Sequence, residues 1–112
     1  MSKFGLYTKI VARPGQRDVL IEVLVDAAAA MQTVTDCALY IVNTAATERD
    51  AVWVTEVWTS REAHQAYLAT DAFKAALGRG MPLMERVAEQ IAIVPVGCKG
   101  LPTGHAVPRQ EP

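Results

Sequence analysis

The sequence predicts an α+β domain whose antiparallel sheet is covered by helices on one face and by a second copy of the chain on the other. Three observations carry this expectation. Two-residue and 3.6-residue periodicities succeed one another in the order βαββαβ. The third strand, Ala51 to Trp58, is bulky on both sides: Val52, Val54, Glu56 and Trp58 point one way, and Ala51, Trp53, Thr55 and Val57 the other. A chain of 112 residues, 51% of them hydrophobic, makes one domain with a real core but can hardly cover both faces of such a strand alone.

The elements follow in order. Phe4 to Ala12 alternates, with Phe4, Leu6, Thr8 and Ile10 on one face and Tyr7, Lys9 and Val11 on the other, and Arg13-Pro14-Gly15 breaks it. Gln16 to Met31 reads as a helix. Its apolar stripe is Val19, Leu20, Val23, Leu24, Ala27, Ala28 and Met31, with Ile21 and Val25 beside it. Asp36 to Thr44 is the second strand, with Cys37, Leu39, Ile41 and Asn43 on one face and Ala38, Tyr40 and Val42 on the other. A polar link, Ala45 to Asp50, suits a hairpin into the third strand.

Thr59-Ser60-Arg61-Glu62 matches a capping box, a hydroxyl at the N-cap with Glu at N3, and opens a helix through His64, Tyr67 and Leu68. Thr70-Asp71 caps a second helical piece carrying Phe73, Ala76 and Leu77, with Gly78 and Gly80 ending it. Met81 to Val87, with Pro82 near its start, is expected to be a further helical turn, and Ala88 to Val96 the fourth strand. Gly97 to Pro112 holds Pro102, Pro108 and Pro112 with little apolar content and reads as an arm or loose tail. The domain is thus expected over residues 1–97 and the tail over 98–112. This order fits a ferredoxin-like split βαβ unit, whose helices lie on one face of the sheet. Leaving the other apolar face in water costs about 1.5–3 kcal/mol per large side chain. Two such sheets packed face to face remove that cost and give a homodimeric α/β barrel.

Composition narrows the partners. Net charge is −1 and no basic stripe exists, so nucleic acid is not an expected partner. No apolar run approaches the roughly 18–20 residues of a membrane span, and the N-terminus lacks a signal-peptide pattern, so a cytoplasmic location is expected. Cys37 and Cys98 show no metal or CxxC spacing and read as two reduced thiols, and no set of His, Cys and carboxylates shows ligand spacing, so no metal is expected.

The run Glu56-Val57-Trp58-Thr59-Ser60-Arg61-Glu62-Ala63-His64, continued by Tyr67-Leu68-Ala69-Thr70-Asp71-Ala72-Phe73-Lys74, resembles the antibiotic biosynthesis monooxygenase family. The likeness spans roughly residues 3–97, and its specific part is the E-x-W to F-K segment. The resemblance implies a dimeric ferredoxin-like barrel. It also implies, for the oxygenating members, conversion of phenols or quinols to quinones by O₂ without metal or flavin. Haem-degrading members carry an iron-binding His after the F-K pair; here Ala75, Ala76 and Leu77 follow Lys74, which disfavours that activity. Trp58 matches a Trp that lines the cavity in several members. Where some members place an Asn on the sheet, this chain has Val54, and Asn43 is an amide on the neighbouring strand.

The residues allow the following chemistry. Trp58 flanks an aromatic substrate or is a core Trp at the strand-to-helix corner. His64 is a base or a solvated, hydrogen-bonded helix-flank residue. Glu56 is a buried carboxylate with a raised pKa or pairs with Arg86, Lys9 or Lys74. Trp58, Asn43 and His64 are the candidate catalytic residues, and Tyr67, Phe73, Tyr40 and Arg86 the candidate substrate contacts, with Arg86 steering an anionic phenolate. His105 lies in the tail and is read as inert. The expected function is oxidation of a small phenol or quinol by O₂ with no cofactor. The alternative is a non-catalytic dimer that binds a small apolar ligand.

Overall fold

A computed structural model describes residues 3–100. Strands β1 (Phe4–Ala12), β2 (Cys37–Thr44), β3 (Ala51–Trp58) and β4 (Met84–Ile93) form one sheet in the order β2-β3-β1-β4, with every neighbouring pair antiparallel. Helices α1 (Arg17–Ala30), α2 (Arg61–Leu68) and α3 (Asp71–Gly80) complete the ferredoxin-like α+β fold. No helix among the described residues is long and apolar enough to cross a membrane.

Register assigns each side chain to a face. Four rows run across the helix-covered face: Cys37–Trp58–Phe4, Tyr40–Glu56–Leu6–Ala92, Val42–Val54–Thr8–Gln90 and Thr44–Val52–Ile10–Val87. Three rows run across the outer face: Leu39–Val57–Gly5–Ile93, Ile41–Thr55–Tyr7–Ile91 and Asn43–Trp53–Lys9–Glu89. Gly5 is needed in the first outer row, because a Cβ there would lie 2.6 Å from Ile93 Cγ1. The inner rows feed two core clusters. One gathers Ile10, Ala12, Leu20, Val52 and Val54 under α1, and the other Phe4, Leu6, Met31 and Trp58.

Several expectations are corrected. Cys37 does not share a face with Leu39: a bulge between them turns Cys37 inward onto the Trp58 cluster. The α1 stripe faces inward from Leu20 through Val23, Leu24, Ala27 and Ala28 to Met31 as expected, except that Val19 is exposed and Ile21 packs on the core. Ser60, not Thr59, is the N-cap of α2, its Oγ accepting from Ala63 N at 3.0 Å. Glu62 therefore stands one residue short of N3, and Thr59 instead donates to Asp36 Oδ1 at 2.9 Å. Helix α3 has the expected Thr70 cap but runs through Gly78 to Gly80.

The stretch Met81 to Val87 is not a helical turn of that length. Only Met81–Leu83 forms a 3₁₀ turn, and β4 starts at Met84 and ends at Ile93, before Val94 and Val96. The end of β1 decides this. Arg13 N donates to Leu83 O at 2.8 Å and Arg13 Nε to Pro82 O at 3.1 Å, and Val11 and Ala12 pair with Arg86 and Met84 across a register shift. Pairing with β1 satisfies backbone groups that a solitary turn would leave to water. The tail beyond Gly100, with His105, lies outside the described residues.

Candidate active site

Between the sheet and the helices lies a cavity of about 460 Å³. Its floor is Leu6, Thr8, Ile10 and Val54, and its walls include Leu20, Leu24 and Ala27 of α1 and Phe73 of α3. Leu77, Val87, Gln90 and Ala92 line it and are solvent-exposed, so it opens between α3 and the edge strand β4.

The polar end of the cavity is built around Glu56. The E-x-W spacing puts Glu56 and Trp58 on the same face of β3. Trp58 Nε1 donates to Glu56 Oε1 at 3.0 Å. Tyr40 stands beside Glu56 on β2. The α2 helix, fixed by its Ser60 cap, brings His64 and Tyr67 over the same spot. The His64 ring centroid lies 5.3 Å from that of Phe4 and 5.4 Å from that of Trp58, and the Tyr67 centroid lies 5.2 Å from Trp58. Phe73 closes on Tyr67 edge-on at 5.6 Å.

The expected site residues divide into two groups. Tyr40, His64, Tyr67 and Phe73 line the cavity together. Trp58 is 0% exposed and is not among the cavity-lining residues; it sits behind Tyr67 and His64 and acts on the cavity through Glu56. Asn43 is on the outer face, where its Nδ2 donates to Trp53 O at 3.0 Å and to Thr55 Oγ1 at 3.2 Å. It cannot converge with Trp58, because the pairing of Tyr40 with Glu56 puts Asn43 on the opposite side of the sheet. Arg86 is opposite Val11, exposed, and paired with Glu85 at 2.9 Å. His64 is not a solvated helix-flank residue: it is 7% exposed, and its Nδ1 is buried with no hydrogen-bond partner among the described residues.

Glu56 was absent from the expected set and is the cavity's central group. None of the three cations expected to pair with it does so. Lys9 pairs with Glu48 at 2.8 Å, Arg86 with Glu85, and Lys74 forms no ion pair among the described residues. The signal in the sequence was an acid at an inward position of an otherwise apolar strand. At 9% exposed, Glu56 is held above the ordinary carboxylate range by burial, partly offset by the Trp58 hydrogen bond.

The same environment pushes its neighbours toward neutrality. Burial, and then the Glu56 charge, raises the pKa of Tyr40 and Tyr67 and lifts the Cys37 thiol to about 11. Burial, and then Arg61, lowers that of His64. His64 Nε2 lies 3.9 Å from Glu56 Oε1, too long for a hydrogen bond, and burial works against charge on either group.

These shifts fix the sign of a stability prediction. A carboxyl with a raised folded pKa contributes stability that is fully present below its unfolded pKa and lost as pH rises through the folded value. Glu56→Gln is neutral at every pH and keeps an oxygen acceptor for Trp58 Nε1. Its melting temperature is therefore expected to match wild type near pH 4 and to exceed it increasingly toward pH 8, by thermal melts across that range. The His64 contribution runs the other way, being lost as pH falls below about 6.5.

Comparison with known proteins places the chain. The family model described as antibiotic biosynthesis monooxygenase matches residues 4–79. The structure of a candidate antibiotic biosynthesis monooxygenase from Chloroflexus aurantiacus J-10-fl is 40% identical, with a TM-score of 0.82 over 90% of this chain and 100% of that one. A conserved protein of unknown function from Bacteroides thetaiotaomicron VPI-5482, a candidate oxidoreductase, is 22% identical, with a TM-score of 0.75 over 83% and 97% of the two chains. A candidate monooxygenase of the same description from Caulobacter crescentus CB15 is 22% identical, with a TM-score of 0.74 over 88% and 92%. No curated protein matches. The chain is a ferredoxin-like α+β protein with an aromatic cavity beneath its helices, and it belongs to the antibiotic biosynthesis monooxygenase family.

Among the described residues no group of three His, Cys, Asp or Glu side chains could hold a metal ion. The positions after Lys74 offer Ala75, Ala76 and Leu77, none of which carries a ligating atom.

Proposed function

We propose that this chain is a cytoplasmic, homodimeric oxygenase that converts a small phenol or quinol to a quinone with O₂ and no cofactor. The observation that carries this reading is a largely apolar cavity whose polar end combines a buried carboxyl, two tyrosines and a histidine among aromatic rings. An aromatic body fits the apolar part and a hydroxyl the polar end.

The chemistry needs little else from the protein. Loss of the hydroxyl proton leaves an electron-rich phenolate. The ring carbon opposite the oxygen then delivers an electron pair to O₂ and binds the whole molecule as a peroxide, which takes up the released proton to become a hydroperoxide. Breaking the O–O bond with loss of the ring hydrogen leaves the carbonyl and releases water. One phenol and one O₂ thus give one quinone and one water. Apolar walls reduce competing water, and the Tyr40 and Tyr67 hydroxyls, kept protonated by burial, can donate to the developing negative charge.

The homodimer rests on the outer face. Tyr7, Ile41 and Ile91 lie in one row across the sheet and are 40%, 43% and 46% exposed in the single chain. A second copy laid on this row buries it, as family membership suggests.

The test is O₂ uptake by the pure protein with a panel of phenols, naphthols and quinols. Protein-dependent uptake with stoichiometric quinone formation supports the oxygenase. Binding without uptake across the panel assigns the cavity instead to carriage of a small apolar ligand.

A further inference from the structure

Glu56 occupies an unusual position for a carboxyl that no Lys or Arg among the described residues pairs with. It lies in the middle of the inner face, on the row Tyr40–Glu56–Leu6–Ala92, and it lines the cavity. Its two oxygens differ. Oε1 is taken by Trp58 Nε1 at 3.0 Å. Oε2 accepts no hydrogen bond among the described residues and is not sealed off from the cavity. A buried carboxyl with one oxygen anchored and the other free keeps lone pairs available to a ligand of the cavity it lines.

The surroundings are equally specific. From β2, Cys37 and Tyr40 face Glu56; from α2, His64 and Tyr67, with Arg61 beside His64; from β1, the opposed residue is Leu6, which does not titrate; from α3, Phe73 packs on Tyr67. The thiol and both phenols are held protonated by burial, and their positions make them donors or bystanders. His64 has its Nδ1 buried with no hydrogen-bond partner among the described residues and its Nε2 at 3.9 Å from Oε1. That leaves Oε2 as the acceptor best placed for a substrate hydroxyl.

We propose that Glu56 is the catalytic proton acceptor of this cavity, taking the substrate hydroxyl proton on Oε2 while Trp58 fixes the carboxyl through Oε1. The inference rests on the oxygenase reading for its place in turnover. The step balances by itself: the substrate O–H bond breaks, its electron pair stays on the substrate oxygen, and the proton binds Oε2 to give a neutral carboxylic acid. A carboxylate in an apolar cavity is a stronger base than one in water, which matches it to a phenol better than an exposed acid. Trp58 is a positioning residue: its N–H favours the ionised carboxylate, so its loss makes Glu56 hold a proton to higher pH.

Two readouts on intact wild type and Glu56→Gln separate this inference from the oxygenase reading. The first is the absorption of bound 4-nitro-1-naphthol, whose blocked ring carbon prevents turnover and whose anion absorbs at longer wavelength than the neutral form. At a pH below the dye's own pKa at which Glu56 is still ionised in the free protein, wild type is expected to bind it as the anion and Glu56→Gln as the neutral naphthol. Equal ionisation on both proteins, or no binding to wild type, overturns the proposal.

The second readout is O₂ uptake with 1-naphthol. A kcat for Glu56→Gln lower by roughly 100-fold, with KM little changed, supports the assignment; equal kcat and pH profile overturn it. Wild type that ionises the dye in a Glu56-dependent way but consumes no O₂ keeps the proton acceptor and removes the oxygenase reading. Trp58→Phe is expected to move the acidic limb of the kcat/KM profile to higher pH, and an unmoved limb overturns the positioning role.

Discussion

Replacing Trp58 with alanine is expected to lower the unfolding free energy by about 3–5 kcal/mol, the usual cost of removing a large buried aromatic side chain. Trp58 is wholly enclosed, packs with Phe4, Leu6 and Met31, and carries the rings of Tyr67 and His64 against it. The cavity left behind would be bordered by a carboxyl that has lost its hydrogen bond, which adds to the cost. Trp58→Phe keeps most of the ring volume and loses the N–H, so about 1–3 kcal/mol is expected for it. Urea unfolding midpoints with a common slope check both values; a Trp58→Ala protein within 1 kcal/mol of wild type would deny Trp58 its place as the keystone of this end of the core.

Charging the outer face should dissociate the protein without unfolding it. In Ile41→Lys/Ile91→Lys both substituted positions are already 43% and 46% exposed in the single chain, so the protomer loses little. In a face-to-face dimer the same two lysines would be buried without partners on each copy. An unpaired buried ammonium costs several kcal/mol, so association should weaken by about 100-fold or more. Sedimentation at micromolar concentration is expected to find wild type as a dimer and the double variant as a monomer with unchanged far-ultraviolet circular dichroism. A wild-type monomer under those conditions contradicts the barrel.

Much of the fold was legible because local signals and tertiary structure agree. The alternation of Phe4 to Ala12, the apolar strand Ala51 to Trp58 and the Thr70 cap each reappear at the expected residues. Where they failed, a partner strand had overridden the local pattern. Met84 to Val87 looks helical beside Pro82, yet β1 claims it. Cys37 belongs by parity with Leu39, yet one bulge turns it inward.

The site was half legible for a related reason. A two-residue period sorts side chains into two sets but does not say which set faces the helices. Asn43 was expected near Trp58 only because the register linking Tyr40 to Glu56 is a long-range fact. His64 reads as a flank residue on the helix alone, and its burial follows from Phe4 and Trp58, which lie on two strands far apart in sequence. Glu56 was visible as an anomaly. That its carboxyl answers to an indole rather than a cation depends on Lys9 and Arg86 both pointing away from the inner face.

The most direct test of the oxygenase is isotopic. With 1-naphthol and ¹⁸O₂, the quinone formed by wild type is expected to carry one heavy oxygen atom, the second leaving as labelled water, and formation of this product should fall sharply in Glu56→Gln. Quinone carrying no label from O₂, or no protein-dependent product at all, would contradict an oxygenation site at Glu56 beneath the helices.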